Sequence, residues 1–227
     1  NETAHVKGSL DVLLPVCVSV EMHDGAVVPL DDTMRDRILR VAERMGRDAL
    51  RVLTFCRREG PGADPTRIER ELTFLGVVGM LDPPRDGVRE AVETCIQAGI
   101  RPVMITGDQK LTATAIAAQI GMWETGDEAM TGTELGQLSE DELDEHLPRL
   151  RVFARTTPEQ KLRIVRAFKR AGHVVAMTGD GVNDAPALRE SNIGVAMGKM
   201  GTDVARQAAD LVLADDNFAT IVEAVRE

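Results

Sequence analysis

From residue 74 onward, short apolar segments alternate with segments of helical periodicity. The apolar segments are "FLGVVGML", "RPVMI", "RVFA", "HVVAM", "NIGVAM" and "DLVLA". This alternation is typical of a parallel β-sheet with helices on both faces, so the sequence predicts an α/β fold here. In such sheets, ligands bind at the carboxyl ends of the strands. The polar clusters that follow these segments are Asp82, Thr106 to Asp108, Arg155, and Thr178 to Asp184.

Residues 1–73 have a different pattern and predict a separate α+β domain. Segments 18–22 and 26–30 flank a plausible hairpin turn. Apolar residues from Met34 to Met45 fall at helical spacing, and residues 49–55 predict another strand. We therefore expect two domains, 1–73 and 74–227.

The overall composition argues against several classes of partner. The 227 residues carry a net charge of −10, contain no tyrosine and are only 3% aromatic. An acidic chain disfavours nucleic acid and anionic membranes as main partners, and the scarcity of aromatics disfavours base stacking. No apolar run reaches the roughly 18 residues of a membrane span, so we expect this stretch to be soluble.

The three cysteines predict reduced, buried thiols. Cys17, Cys56 and Cys95 lie far apart in the sequence, are odd in number and form no CxxC or Cys/His cluster. This pattern disfavours a zinc site and a disulfide framework, and it fits a cytosolic compartment.

The segment "TGDGVND" at 178–184 predicts a magnesium site. Gly179 and Gly181 allow a tight turn and close approach to a ligand. Asp180 and Asp184 supply the carboxylate oxygens that Mg²⁺ prefers, and Asn183 could donate to a phosphoryl oxygen. The structural alternative is an Asx turn with a helix cap, which by itself explains only one of the two aspartates.

The segment Thr106-Gly107-Asp108 follows the strand "RPVMI" in the same way. A hydroxyl and a backbone N–H at a helix start can hold phosphate oxygens, which makes these three residues candidate catalytic residues. A helix cap by Asp108 explains the segment about equally well. Thr125-Gly126-Asp127 has the same three residues but follows no apolar strand, so we expect it to bind nothing.

Two cations and one carboxylate complete the candidates. Lys161 lies in the first turn of a helix, where it could neutralise a phosphoryl group or could be an ordinary surface lysine. Arg155 could act similarly at the rim of the site. Asp82 ends a strand, as an aspartyl nucleophile would, but Pro83 and Pro84 remove N–H groups that a phosphate cradle needs.

These residues resemble the motifs of P-type cation-transporting ATPases, especially the type II branch of calcium and sodium pumps. The matching segments are "KGS", "LDPPR", "ITGD", "VFARTTPEQK", "MTGDGVNDAPAL", "IGVAMG", "GTDVA" and "DDNF". The resemblance implies a haloacid-dehalogenase-like phosphorylation domain with a Rossmann-like parallel sheet at 74–227. It implies the C-terminal part of a nucleotide-binding domain at 1–73, and ATP and Mg²⁺ as cofactors.

The resemblance also assigns nucleotide-binding roles. Lys7 would line the adenine pocket, although its segment is Lys-Gly-Ser-Leu-Asp where the family has Lys-Gly-Ala-Pro-Glu. Arg51 would reach the nucleotide phosphates. Asp82, Arg85 and Arg155 would approach the nucleotide in the closed state.

The same resemblance implies a phosphoryl site. Thr106-Gly107 would hold the transferred phosphoryl group, and Lys161 would neutralise its charge. Asp180 would bind Mg²⁺, supported by Asn183 and Asp184.

One departure from the family stands out. The family's phosphorylated aspartate lies in an Asp-Lys-Thr-Gly-Thr segment, which these 227 residues lack. The chain is therefore expected to be an inactive cytoplasmic fragment of an integral membrane protein, with the remaining domains and transmembrane helices of the parent pump as its partners. The family's nucleophile strand is central to the sheet, so we expect its place to be filled by a local segment or by another chain, through strand exchange or dimerisation.

Two other functions stay open from the sequence. A self-standing haloacid-dehalogenase-like phosphatase would use Asp82 or Asp180 as its nucleophile. A non-catalytic module would merely bind nucleotide or a protein.

Overall fold

A computed structural model describes residues 3–60, 68–81, 83–218, 220 and 221. The chain divides into two compact units, Asn1–Pro83 and Pro84–Glu227. The expected boundary at 73/74 falls inside a strand of the first unit, Leu72–Met80, which pairs with strands on both sides. The apolar segment that was assigned to the second domain therefore completes the first sheet.

The first unit is a five-stranded mixed sheet with one long helix. Its strands are β1 (Thr3–Gly8), β2 (Cys17–Glu21), β3 (Val27–Pro29), β4 (Arg51–Glu59) and β5 (Leu72–Met80), and its helices are α1 (Leu10–Leu13) and α2 (Asp32–Arg47). A 3₁₀ turn, Leu14–Val16, follows α1. The order is β1-β4-β5-β2-β3, and all neighbours are antiparallel except β2 and β5. The predicted hairpin is confirmed by the pairing of β2 with β3.

The long helix covers one face of this sheet. Asp31 caps α2, because its carboxylate accepts the backbone N–H of Met34 at 2.8 Å. The apolar positions of the helix, Met34, Ile38 and Ala42, pack against a core that includes Leu72. The sheet residues that alternate with this buried set form an open face.

The second unit is α/β, as the alternating pattern predicts. Its strands are β6 (Met104–Ile105), β7 (Glu128–Thr131), β8 (Leu150–Ala154), β9 (Ala176–Gly179), β10 (Ile193–Met197) and β11 (Leu211–Leu213). Its helices are α3 (Val88–Gln97), α4 (Lys110–Gln119), α5 (Gly132–Gln137), α6 (Glu140–His146), α7 (Pro158–Arg170), α8 (Ala185–Glu190) and α9 (Asp203–Ala208). A 3₁₀ turn, Val182–Asp184, precedes α8.

The parallel strands of this unit form two sheets. Their orders are β6-β8-β7 and β11-β10-β9, so β6 and β9 are edge strands within the described part of the chain. Helix α7 packs against both sheets: Ile164 lies in one core with Phe153 of β8, and Val165 lies in another with Met177 of β9. Ile105 of β6 borders both cores, so one continuous apolar layer serves both sheets.

Candidate active site

The turn after β9 is built around the carboxylate of Asp184. Its Oδ2 accepts the backbone N–H groups of Gly181 at 3.0 Å and Asp180 at 3.3 Å. A Cβ on Gly179 would lie 2.5 Å from the Asp184 Cβ, so glycine is required to leave room for this side chain. Because Asp184 is only 6% exposed, its charge must be compensated by protein groups.

Helix α7 supplies the compensating charge. Thr157 caps the helix in a reciprocal capping box with Gln160, which fixes the first turn. Lys161 follows, and its Nζ donates to Asp184 Oδ1 at 2.6 Å. The two side chains are only 17% and 9% exposed. A lysine in a first helical turn opposes the helix dipole, so the ion pair with a buried carboxylate accounts for its position.

Asp180 and Asn183 are exposed in the same turn. The backbone oxygen of Asp180 accepts the N–H of Thr202 at 2.8 Å, which anchors the turn to the start of α9. Both carboxylate oxygens of Asp184 already accept hydrogen bonds, so Asp180 is the better placed aspartate for a direct metal bond.

The turn fits one kind of metal site and not another. Mg²⁺ is commonly held by one or two carboxylates, with water and phosphate oxygens completing the octahedron, and an exposed Asp180 suits that mode. Across the described residues, no group of three or more His, Cys, Asp or Glu side chains could hold a metal ion by itself. The side chains present therefore fit a metal shared with a phosphate ligand.

The predicted phosphate-binding segment after β6, Thr106-Gly107-Asp108, is a compact turn. The Asp108 N–H donates to Thr106 Oγ1 at 3.1 Å, and the Thr106 hydroxyl donates to Asp108 Oδ2 at 3.1 Å. No atom lies within 4 Å of a Cβ placed on Gly107, so a ligand can approach the backbone there. The backbone N–H of Arg155 donates to the Asp108 oxygen at 3.2 Å, which joins this turn to the end of β8.

Arg85 contacts the segments around Met200 and Asp216. The Arg85 guanidinium donates to the backbone oxygen of Asp216 at 2.7 Å and to Met200 Sδ at 3.3 Å. Burial opposes ionisation of Asp216, but hydrogen bonds from the N–H groups of Lys199 and Met200 keep its pKa below the ordinary value. Asp82 lies outside the described residues.

In the first unit, Lys7 and Arg51 share the open face of the sheet. Lys7 pairs directly with Phe55, and Arg51 lies four residues before Phe55 on β4. Alternate residues of β4, from Val52 to Cys56, point into the core, so Phe55 and Arg51 point away from it. Phe55 is 37% exposed and offers an aromatic surface between the two cations.

Sequence reasoning overlooked three residues of these sites. The exposed position of Phe55 follows from the period of two along β4, which was a usable signal. The buried Asp216 and the anchoring N–H of Thr202 depend on contacts between distant segments, which no local pattern reveals.

Comparison with known proteins gives a consistent result. The family model described as "P-type ATPase, cytoplasmic domain N" matches residues 1–87. The chain is 49% identical over 223 residues to calcium-transporting ATPase 1 of Bacillus cereus, covering 97% of this chain and 25% of that protein. It is 48% identical over 236 residues to the probable cation-transporting ATPase F of Mycobacterium tuberculosis, covering 99% of this chain and 26% of that protein.

The chain thus spans about a quarter of the length of the relatives it matches. No helix in the described ranges is long and apolar enough to cross a membrane. The similarity covers 97% of the chain and therefore extends through both units. Residues 1–87 thus match the P-type ATPase family model, and nearly the whole chain is similar to calcium- and cation-transporting ATPases.

Proposed function

We propose that this chain is the cytoplasmic, ATP-hydrolysing part of a cation pump. It would bind ATP and Mg²⁺ and support transfer of the γ-phosphoryl group to an aspartate outside these 227 residues, coupled to cation transport. The observation that carries the proposal is the buried ion pair of Lys161 with Asp184, set in the turn that exposes Asp180. The names of the relatives, calcium- and cation-transporting ATPases, support the same class.

In this proposal each residue of the site has one task. The Thr106 hydroxyl and the Gly107 backbone hold phosphoryl oxygens, with Asp108 orienting the hydroxyl. Asp180 holds Mg²⁺, which neutralises phosphoryl charge when bound. Asp184 positions the ammonium group of Lys161 toward the same charge. Asn183 donates a hydrogen bond to a phosphoryl oxygen or a bound water.

The first unit would bind the nucleotide on its open face. The adenine ring would stack on Phe55 beside Lys7, and Arg51 would pair with phosphate oxygens. Arg85 and Arg155, together with Asp82, would contact the nucleotide when the domains close. The remaining domains and membrane helices of the parent pump would be its partners.

The second unit would be a haloacid-dehalogenase-like domain whose nucleophile strand lies between β6 and β9. Both are edge strands in the described structure, and Val174, two residues before β9, is 80% exposed. An edge strand carries unpaired backbone groups that accept another strand. In the isolated chain, a local segment or a strand of a second copy would occupy that place.

Labelling with ATP tests the phosphoryl-transfer assignment. The chain alone, incubated with γ-labelled ATP and Mg²⁺, should take up no acid-stable, hydroxylamine-sensitive label. Appreciable labelling would contradict the proposal that the nucleophile lies elsewhere. Turnover of p-nitrophenyl phosphate that is lost in Asp180→Asn would favour the phosphatase instead.

Ligand titration followed by backbone NMR tests the site itself. Addition of Mg²⁺ and inorganic phosphate should shift the amide resonances of residues 106–108 and 178–184. Asp180→Asn should lower the apparent affinity measured from these shifts by at least about 10-fold. Asp127→Asn is the matched control, since it changes the aspartate of the Thr-Gly-Asp segment at 125–127, which is not part of the proposed site. Equal losses in both variants would contradict a site at Asp180.

A further inference from the structure

Two of the three cysteines meet inside the first unit. Cys17, at the start of β2, and Cys56, in β4, are 39 residues apart in sequence, yet their Sγ atoms lie 3.5 Å apart. Both are 1% exposed and lie in one apolar core with Leu72 and Phe74 of the intervening strand β5. Such proximity across an intervening strand was not predicted from the spacing.

Local irregularities in the sheet account for the short distance between the two Sγ atoms. The pairing of β2 with β5 shifts register between Cys17 and Ser19, and the pairing of β4 with β5 shifts between Phe55 and Cys56. Bulges bend a strand and redirect its side chains, so the two irregularities turn both thiols toward each other over β5.

The two thiols are chemically unequal. The Arg35 guanidinium donates to the backbone oxygens of Cys17 and Leu14, each at 2.6 Å, and brings positive charge near the Cys17 thiol. A hydrogen bond from Cys56 and the charge of Arg35 outweigh burial and lower the pKa of Cys17. The hydrogen bond to Cys17 and burial raise the pKa of Cys56. The Cys17 thiol also donates to the backbone oxygen of Leu13 at 3.2 Å, a bond that the thiolate gives up. The lowered pKa still makes Cys17 the more nucleophilic thiol, and Cys56 is placed to attack it.

We propose that Cys17 and Cys56 form a redox-active pair that closes to an intramolecular disulfide when a small peroxide enters the core. The Cys17 thiolate attacks one oxygen of hydrogen peroxide; the O–O bond breaks, leaving a sulfenic acid on Cys17 and releasing hydroxide. The Cys56 sulfur then attacks Cys17 Sγ, the S–O bond breaks, and a second hydroxide leaves. The two thiol protons convert the hydroxides to water, so two thiols and one peroxide give one disulfide and two waters.

Mass spectrometry of the whole chain tests the pair. After treatment with hydrogen peroxide under native conditions and alkylation of the remaining thiols, one alkylated cysteine should remain per chain, and digestion without reductant should yield a linked peptide pair containing Cys17 and Cys56. Cys95 serves as the internal control, because it is buried in the other unit and burial raises its thiol pKa. Links between chains, links to Cys95, or a Cys17–Cys56 link that forms only in denaturant would overturn the proposal.

Single variants test the assigned order of attack. In Cys56→Ser, the sulfenic acid on Cys17 has no resolving thiol and should accumulate as an adduct with dimedone. In Cys17→Ser, dimedone labelling of Cys56 should be lower, because burial still raises the pKa of the Cys56 thiol and Arg35 contacts the backbone of Cys17. Equal labelling of the two variants, with circular dichroism showing both folded, would contradict the unequal roles.

Discussion

The two units complete their sheets in different ways. In the first unit, the nine-residue strands β4 and β5 pair along most of their length, and β5 has a neighbour on each side. In the second unit, β6 has only two residues. Both β6 and β9 pair with a neighbouring strand on one side only. The first sheet is therefore held by long hydrogen-bonded ladders, whereas the second depends on the helix layer that α7 provides. A parallel sheet needs crossover helices in any case, so interruption of its ladder shifts more of the stability to side-chain packing.

The largest effect should come from the packing layer of the second unit. Phe153 is fully buried on β8 against Ile164 and Phe168 of α7. Phe153→Ala should lower the free energy of unfolding by about 4 kcal/mol, because the cavity adds to the lost transfer energy. Hydrogen exchange resolved by peptide should rise across β6, β7 and β8.

Leu72→Ala is the matched control in the first unit. Leu72 is also fully buried, at the start of the doubly paired β5. The substitution should cost about 3 kcal/mol and raise exchange mainly in β2, β4 and β5. If both variants raised exchange equally throughout the chain, the contrast between ladder and helix layer would be wrong.

The same contrast explains how much the sequence could predict. Strong local patterns were sufficient for the β2–β3 hairpin, for α2 and for the alternation in the second unit. The apolar segments used to predict the second unit did not include strand β7. Its four residues, "EAMT", bury only Met130, so no period of two is visible.

The boundary and the site show a different limit. Strand β5 continues from Leu72 to Met80 and joins the first sheet. Which sheet a strand joins depends on contacts with distant segments, and the apolar sequence of β5 does not reveal them. The motif around Asp180 was visible from its glycines and carboxylates. That Asp184 binds Lys161, 23 residues away, depends on how α7 packs beside β9 and required the structure.

A smaller effect should come from two glycines near the carboxyl ends of the edge strands, Gly179 in β9 and Gly107 after β6. Gly179→Ala places a Cβ 2.5 Å from the Asp184 Cβ and should cost about 2 kcal/mol through overpacking and displacement of the buried carboxylate. Gly107→Ala, in the corresponding turn after β6, meets no atom within 4 Å and should change stability by less than about 0.5 kcal/mol. Urea unfolding of both variants checks the difference. Similar midpoints would show that the β9 turn can relax and that the two edges are equally tolerant.

The smallest expected effect is electrostatic and concerns the start of α5 in the second unit. A hydrogen bond from the backbone N–H of Thr131 lowers the pKa of Glu134, and a hydrogen bond from Lys110 lowers it by a smaller amount. A carboxyl group whose pKa is lower in the folded state contributes stability above its unfolded pKa and loses that contribution as the pH falls through the folded value. Glu134 has a half-exposed side chain, so solvent screening limits the contribution to less than about 1 kcal/mol. Glu134→Gln keeps a side-chain acceptor for the cap but does not titrate, so its stability should fall less steeply than that of the parent chain as the pH drops below 4.5. Identical pH profiles would mean that the ion pair with Lys110 and the charged cap contribute nothing to this helix, and that packing alone holds α5 beside β7.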